Sequence, residues 1–257
     1  MATELKLCVD VQDEKSVVKD FFFSSPLKLG LPNYEGERLN VILMMASAGI
    51  LKGDEFCYHV SCKKGTKTLL TEQSYTKIFD TGDGSAKRHQ TIQLEEEASL
   101  YYYPCAVIPF QNSTYDGDIT VNLMETSEFA YADILASGRV GMGECFGFCH
   151  YRNRICVELN GVPIWMDHCV LEPKTMDVSE LIFFDGYTHQ GTFYYYGSKE
   201  KQERLLRWQE SNAQRMKEEL VCGVTNASQG ICIWVLANTA QDIEELFSHI
   251  KNLLETN

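Results

Sequence analysis

The 257-residue sequence predicts a mainly β protein with two α-helices near its C-terminus. Three observations carry that expectation. Apolar and polar residues alternate with period two through the first three-quarters, and turn signals separate the alternating runs. The last quarter then changes to helical spacing. Many short strands divided by turns suit a sandwich, a barrel or a stacked β-solenoid, built as a single domain over 1–257.

The first run, LKLCVDV (5–11), places Leu5, Leu7, Val9 and Val11 on one face, as a half-buried strand requires. Candidate hairpins turn at KKGT (63–66) and at ETSE (125–128), and TIQL (91–94) and SLYYYP (99–104) flank an acidic turn. RICVELNGVPIWMDHCVL (154–171) carries the clearest hairpin signal, because Asn160-Gly161 supplies the positive φ angles of a type I′ turn. KEKQERLLRWQESNAQRMKEEL (199–220) sets Leu205, Trp208, Gln209, Asn212, Met216 and Leu220 at helical spacing. GVTNASQGICIWVLA (223–237) then reads as a strand pair. A second helix follows, with a stripe of Ile243, Leu246, Phe247, Ile250, Leu253 and Leu254 and a capping box at Thr239 and Asp242. No clear internal repeat is visible.

Composition narrows function. A net charge of −13 opposes binding to nucleic acid and to anionic membranes, both of which need clustered Lys and Arg. MATELKLCVDVQDEK has no apolar run behind a basic segment, and no stretch approaches the roughly 18 apolar residues of a bilayer span. A cytoplasmic protein is expected, whose ten cysteines stay reduced and act mainly as small buried hydrophobes.

GRVGMGECFGFCH (138–150) raises the question of metal. Cys145, Cys149 and His150 would make a soft cluster, as in a metal storage or delivery protein. Thiolates sharing a zinc ion sit within roughly 4 Å of each other. Residues four apart on a strand are about 13 Å apart. Phe-Gly-Phe between the two cysteines favours a strand, with Cys145 and Cys149 on one face and His150 on the other, so the cluster fails on geometry. Gly138, Gly141 and Gly143 faintly resemble a phosphate cradle, but a strand is expected behind them rather than a helix N-terminus, and no G-x-x-x-x-G-K-S/T occurs. A thiol triad of Cys145 or Cys169 with His168 or His189 and Asp185 has no supporting motif. Polar residues inside apolar segments are more informative: Asp54 after AGILKG, Thr71, Ser74 and Thr76 after TKTLL, Asp133 within FAYADILAS, and Glu144 beside the glycines. Burying a carboxylate costs several kcal/mol unless it is bonded, paired or metal-bound, which points to a polar interior, a wet channel among the options.

The same segments carry a family resemblance. SAGILKGDEF (47–56), LLTEQSYTKIF (69–79), YYYPCAVIPFQNSTY (101–115), YADILASGRVGMGECF (131–146) and LEPKTMDVSELIFFDGYTH (171–189) resemble, in that order, the urease accessory family UreD, also called UreH. The P-x-x-x-I-P-F element at Pro104–Phe110 and the G-R-x-x-x-x-E element at Gly138–Glu144 are its most specific parts. The resemblance implies a β-helix-like stack of short sheets and hairpins, and an assembly factor instead of an enzyme. It implies binding to a UreF-like helical protein, through it to a UreG-like GTPase, and to the urease apoprotein. It implies further that no cofactor is held permanently and that nickel is transient cargo moved through an interior tunnel. Positions matching the family's polar route are Asp54, Thr76 and Asp133, to which the physical reading adds Glu144. Many members carry a second glycine just before the Gly-Asp pair, where this chain has Lys52. An ammonium there is expected to pair with Asp54 and weaken its attraction for a metal ion. Carboxylates, hydroxyls and water hold Ni²⁺ more weakly than imidazole or thiolate, as a conduit requires.

Overall fold

The computed structural model describes residues 2–181 and 183–255, and over 210–219 the backbone alone. The chain opens with an antiparallel hairpin of β1 (Thr3–Gln12) and β2 (Lys15–Phe23), followed by β3 (Leu27–Leu29), β4 (Asn33–Glu35) and β5 (Arg38–Met45). It continues through β6 (Glu55–Cys62), β7 (Lys67–Glu72), β8 (Thr76–Ile78), β9 (Ala86–Leu94) and β10 (Ser99–Tyr103). Next come β11 (Val107–Pro109), β12 (Thr114–Leu123), β13 (Glu128–Ala136), β14 (His150–Leu159), β15 (Val162–Leu171) and β16 (His189–Tyr196). Helix α1 (Lys199–Glu219), strands β17 (Val221–Asn226) and β18 (Ile231–Ala237) and helix α2 (Ala240–Glu255) complete the order.

Two facing sheets result. The first runs β15-β14-β12-β9-β6-β1-β2, the second β17-β18-β16-β13-β10-β7-β5-β3. Between β5 and β14 the chain passes from one sheet to the other with each long strand, so neighbours within a sheet are parallel: β6 with β9, β9 with β12, β12 with β14. Short β8 and β11 form a third parallel stack at one corner, joined by a bridge from Ile50 to Ile78. This is a β-solenoid of about four turns, as the family resemblance implied. The segments at 63–66 and 95–97 turn where expected and the turn expected at 125–128 lies one residue earlier, at 124–127, yet each carries the chain to the opposite sheet and closes no hairpin. Alternation and turn residues are the same for a hairpin and a solenoid corner; only the partner differs. The Asn160-Gly161 turn does close an antiparallel hairpin, with φ of 50° and 79° at its two residues.

In-register pairing lines up inward side chains in layers. Leu7, Val60, Ile92, Val121 and Val157 form one, and Val9, Cys62, Leu94, Leu123 and Leu159 the next. These pack against Leu39, Val41, Leu70, Leu100, Phe129 and Tyr131 of the second sheet. Val11 lies beyond the layers and is exposed. A second core lies on the far side of the second sheet, where Ile243, Phe247, Ile250 and Leu254 of α2 and Leu205 and Trp208 of α1 cover Tyr101, Ala130, Ala132, Phe193 and Tyr195. The Asn212 and Met216 side chains of the expected α1 stripe lie outside the described residues. Half of the expected capping box forms: the Asp242 amide donates to Thr239 Oγ1 at 3.1 Å, while the Asp242 carboxylate accepts the Thr239 hydroxyl at 2.6 Å in place of the Thr239 backbone N–H. Among the described residues no helix is long and apolar enough to cross a membrane.

One acid ties the solenoid to both helices. Glu128 accepts hydrogen bonds from Ser99 Oγ (2.6 Å), Tyr195 OH (2.8 Å), Tyr101 OH (3.0 Å) and Lys201 Nζ of α1 (2.7 Å). Arg38 stacks 3.5 Å from the Tyr101 ring centroid and reaches both Glu128 and Glu255 of α2. Burial alone raises the Glu128 carboxyl, but Lys201, Ser99 and Arg38 outweigh it and hold it at about 2. Its contribution is therefore complete above the ordinary value of 4.5 and is lost as pH falls towards about 2. Urea unfolding of wild type and Glu128→Gln measures this. The expected difference is about 2–3 kcal/mol at neutral pH, narrowing steadily below pH 4.5.

Candidate functional site

At the ends of the parallel strands the inward layers change from apolar to polar. In the first sheet, Arg88 of β9 pairs in register with Phe56 and Gly117, and Gly117 with Asn153 of β14. In the second, Glu72 closes β7, and Asp133 of β13 pairs with Thr192 of β16. The polar groups thus face one another across the space between the sheets. Gly117 is required there: a Cβ would stand 2.5 Å from Asn153 Oδ1 and 3.0 Å from the Tyr115 ring.

Glu72 and Arg88 form an ion pair at 3.3 Å, their side chains 9% and 6% exposed. Thr76 Oγ1 donates to Glu72 Oε2 at 3.3 Å, and the Cys105 thiol to the Glu72 carbonyl at 3.3 Å. Burial raises the Glu72 carboxyl against the pull of the guanidinium. Beside the pair, Tyr102 OH donates to Gln90 Oε1 at 2.9 Å. Further along, Asn153 Nδ2 donates to Asp133 Oδ2 at 2.9 Å. Burial, with the charge of Asp167 next, pushes Asp133 up to about 6, and Asp167 is itself raised by burial. The stacked rings of Tyr115 and Tyr151 lie 5.6 Å apart, and neither hydroxyl has a hydrogen-bond partner among the described residues. A buried hydroxyl in that state is a place for water or an ion. A cavity of about 160 Å³ leads from exposed Gln73, Ser74 and Tyr75 to Thr76, Glu72 and Arg88.

Of the residues singled out in sequence, Thr76 and Asp133 stand in this seam. Asp54 does not: it closes a turn, its carboxylate accepting the Leu51 amide at 2.8 Å. Lys52 pairs with Asp83 instead of Asp54. Glu144 accepts the Gln111 amide and both the ε and η nitrogens of Arg139, whose guanidinium lies 4.4 Å from the Phe110 ring centroid. The P-x-x-x-I-P-F and G-R-x-x-x-x-E elements therefore meet in one clasp. Glu72, Arg88, Asn153 and Asp167 were not singled out. The signal for Arg88 lies in AKRHQTIQL (86–94), where strict alternation sets it with Ala86, Ile92 and Leu94.

The stretch 145–149 is not the expected strand. Gly143 and Phe146 adopt φ of 75° and 53°, a 3₁₀ turn spans Val140–Met142, and the chain bends through an open loop. Cys145 is exposed, Lys174 Nζ lies 3.4 Å from Cys149 Sγ, and His150 Nδ1 lies 3.1 Å from Glu172. The thiol-triad residues are engaged separately: His168 with Arg152 and His189 with Thr188. Burial pushes the Cys169 thiol up to about 12, away from a nucleophilic thiolate. Among the described residues no group of three or more His, Cys, Asp and Glu is arranged to hold a metal ion.

A family model described as the UreD urease accessory protein matches residues 1–257. The chain is similar to a urease accessory protein UreD of Acetivibrio thermocellus, 31% identical over 98% of this chain and 97% of that protein. It is also similar to a urease accessory protein UreH of Helicobacter pylori (strain P12), 37% identical over 69% of this chain and 67% of that protein. A urease accessory protein UreD of Staphylococcus aureus is 26% identical over 99% and 93%.

The buried ion pair has a measurable signature. Arg88→Ala leaves Glu72 buried without its partner and is expected to cost about 3–5 kcal/mol in chemical denaturation. Arg88→Met combined with Glu72→Gln removes both charges and should cost clearly less than the two single changes added together.

Proposed function

The chain belongs to the UreD family of urease accessory proteins, and from that premise we propose that it is a non-catalytic scaffold passing nickel towards urease along the seam between its sheets. In this reading it binds a UreF-like helical protein, through that protein a UreG-like GTPase, and the urease apoprotein. It works in the cytoplasm, where thiols stay reduced. Nickel is cargo, not a resident cofactor.

The observation that supports the route is the polar layer itself. Arg88 is paired with Glu72, and Asp133 and Asp167 add two further acids to this interior, each raised by burial and neither in an ion pair among the described residues. A hydrated dication entering past Thr76 meets carboxylate, amide and hydroxyl oxygens, which hold Ni²⁺ loosely enough to release it. Asp54 and Glu144, occupied by backbone amides and Arg139, keep loops in place on this account. Storage on Cys145, Cys149 and His150 has weaker support, since Lys174 and Glu172 already face two of those three groups.

Co-expression with the urease structural and accessory genes, followed by isolation of the complex, tests the proposal. Asp133→Asn with Thr76→Val is expected to reduce nickel per urease active site several-fold while the complex still assembles. Asp54→Asn is expected to load urease as wild type does. Normal loading by the Asp133/Thr76 double variant would remove the route. Failure of wild type to co-purify with any urease component would remove the scaffold.

A further inference from the structure

We propose that Cys57, His59 and His89, on the outer face of the first sheet, form a surface site for a borderline divalent transition-metal ion, separate from the interior seam. Cys57 and His59 are two residues apart on β6 and share its outward face, while Phe56, Tyr58 and Val60 point into the core. His89 stands on the outward face of neighbouring β9, directly opposite Cys57 in the parallel register. Two positions along a strand span about 6.6 Å, and paired strands lie about 4.8 Å apart. The three Cα atoms thus make a compact triangle on a rigid, twice-paired piece of sheet. An ion bonded to one thiolate and two imidazoles at about 2.0–2.3 Å fits above it. Three protein ligands leave a fourth position open for water.

The donors are available. Both imidazoles are exposed, and neither they nor the Cys57 thiol make a hydrogen bond among the described residues. Glu55 and Lys87, two residues before Cys57 and His89 on the same outward face, stand opposite each other, and Glu4 stands opposite Cys57; after burial, the Glu55 and Glu4 charges raise the Cys57 thiol. Asp118, opposite His89, is bound by Arg152 and Arg154, and Lys6, opposite His59, pairs with Glu4 and sits 5.8 Å from the Phe22 ring centroid. As they stand, the three side chains are not gathered into one coordination sphere. His59 and His89 are exposed and Cys57 is half-buried, so side-chain rotation on binding the ion would have to draw the three together. The mix of one sulfur and two nitrogens selects Zn²⁺, Co²⁺ or Ni²⁺ over Mg²⁺ and Ca²⁺, whose ligands are oxygens.

Titration of the full chain with Co²⁺, followed by visible absorption and equilibrium dialysis, decides the matter. The expected result is one ion per chain with a thiolate-to-cobalt charge-transfer band and the intense d–d bands of tetrahedral coordination, displaced by Zn²⁺. Cys57→Ser should abolish the charge-transfer band, and His59→Ala or His89→Ala should weaken binding about tenfold or more. Cys149→Ser should leave the spectrum unchanged. Because the three positions are on the surface, circular dichroism of each variant should match wild type. A cobalt–thiolate band that survives Cys57→Ser, wild-type affinity in His89→Ala, or no band in wild type would each overturn the assignment.

Discussion

Parallel strands held in register on both sides are the constraint on which the rest of this molecule depends. Each inward side chain of β6, β9 and β12 receives a fixed lateral neighbour on either flank, so residue chemistry propagates across the sheet in layers. Two apolar layers, through Val60 and through Cys62, specify the register. A slip of one residue would expose all of them and bury the charged outward set. Once those layers are in place, Arg88, Gly117 and Asn153 have no freedom to be anywhere but side by side. The polar seam is therefore a consequence of the apolar core beside it.

Stability does not explain the seam. Desolvating Glu72 and Arg88 offsets most of what their attraction returns, and apolar residues of similar volume generally close a core as well. The Glu128 clamp is different in kind. It sits where β10 and β13 begin, on the helix-facing side of the second sheet, with hydroxyl and ammonium donors filling the carboxylate's lone pairs. One end of the solenoid thus carries a saturated acid that fastens α1 and α2. The other carries acids raised by burial and hydroxyls with no partner among the described residues. The saturated end suits permanence, and the unsaturated end suits a transient occupant.

What the sequence made legible follows from what period two can and cannot encode. Most strands, both helices, the α2 cap and the Asn160-Gly161 hairpin were readable because each rests on local spacing, the strand expected at 145–149 being the exception. The corners at 63–66 and 124–127 were located but misassigned, since nothing local says whether a strand returns beside its predecessor or crosses to the other sheet. A stacked solenoid was among the expectations, but its repeat was not visible, because the corners on one side vary in length while those on the other are uniform, and its layers share a face, not residue identity. Glu72 was hidden for another reason. Its sheet is covered on both sides, so Leu69 and Leu70 are both buried and the alternation that would have marked an inward acid is erased. In Glu144 and Asp54 the residue was noticed but its partners, Arg139, the Gln111 amide and the Leu51 amide, could only come from the coordinates.

Adjacent residues on a strand face opposite ways, and β6 and β9 use this to keep two kinds of donor apart. Tyr58, Arg88 and Gln90 point in; Cys57, His59 and His89 point out. The interior does contain sulfur, but burial pushes both Cys62 and Cys169 up to about 12, so these groups stay thiols at neutral pH. A protonated thiol is a poor ligand, and Cys169 carries the added opposition of the Asp167 and Asp133 charges to losing its proton. The oxygens of Asp133 and its neighbours are then the interior groups able to meet a dication without first releasing a proton from sulfur. On the proposed route, weak ligation inside needs no exclusion of cysteine from the sequence; it needs only that the cysteines on the inner face be desolvated. On the outer face the half-buried Cys57 thiol is raised too, by burial and then by the Glu55 and Glu4 charges, so what distinguishes it from the inner thiols is its place beside the two exposed imidazoles of His59 and His89.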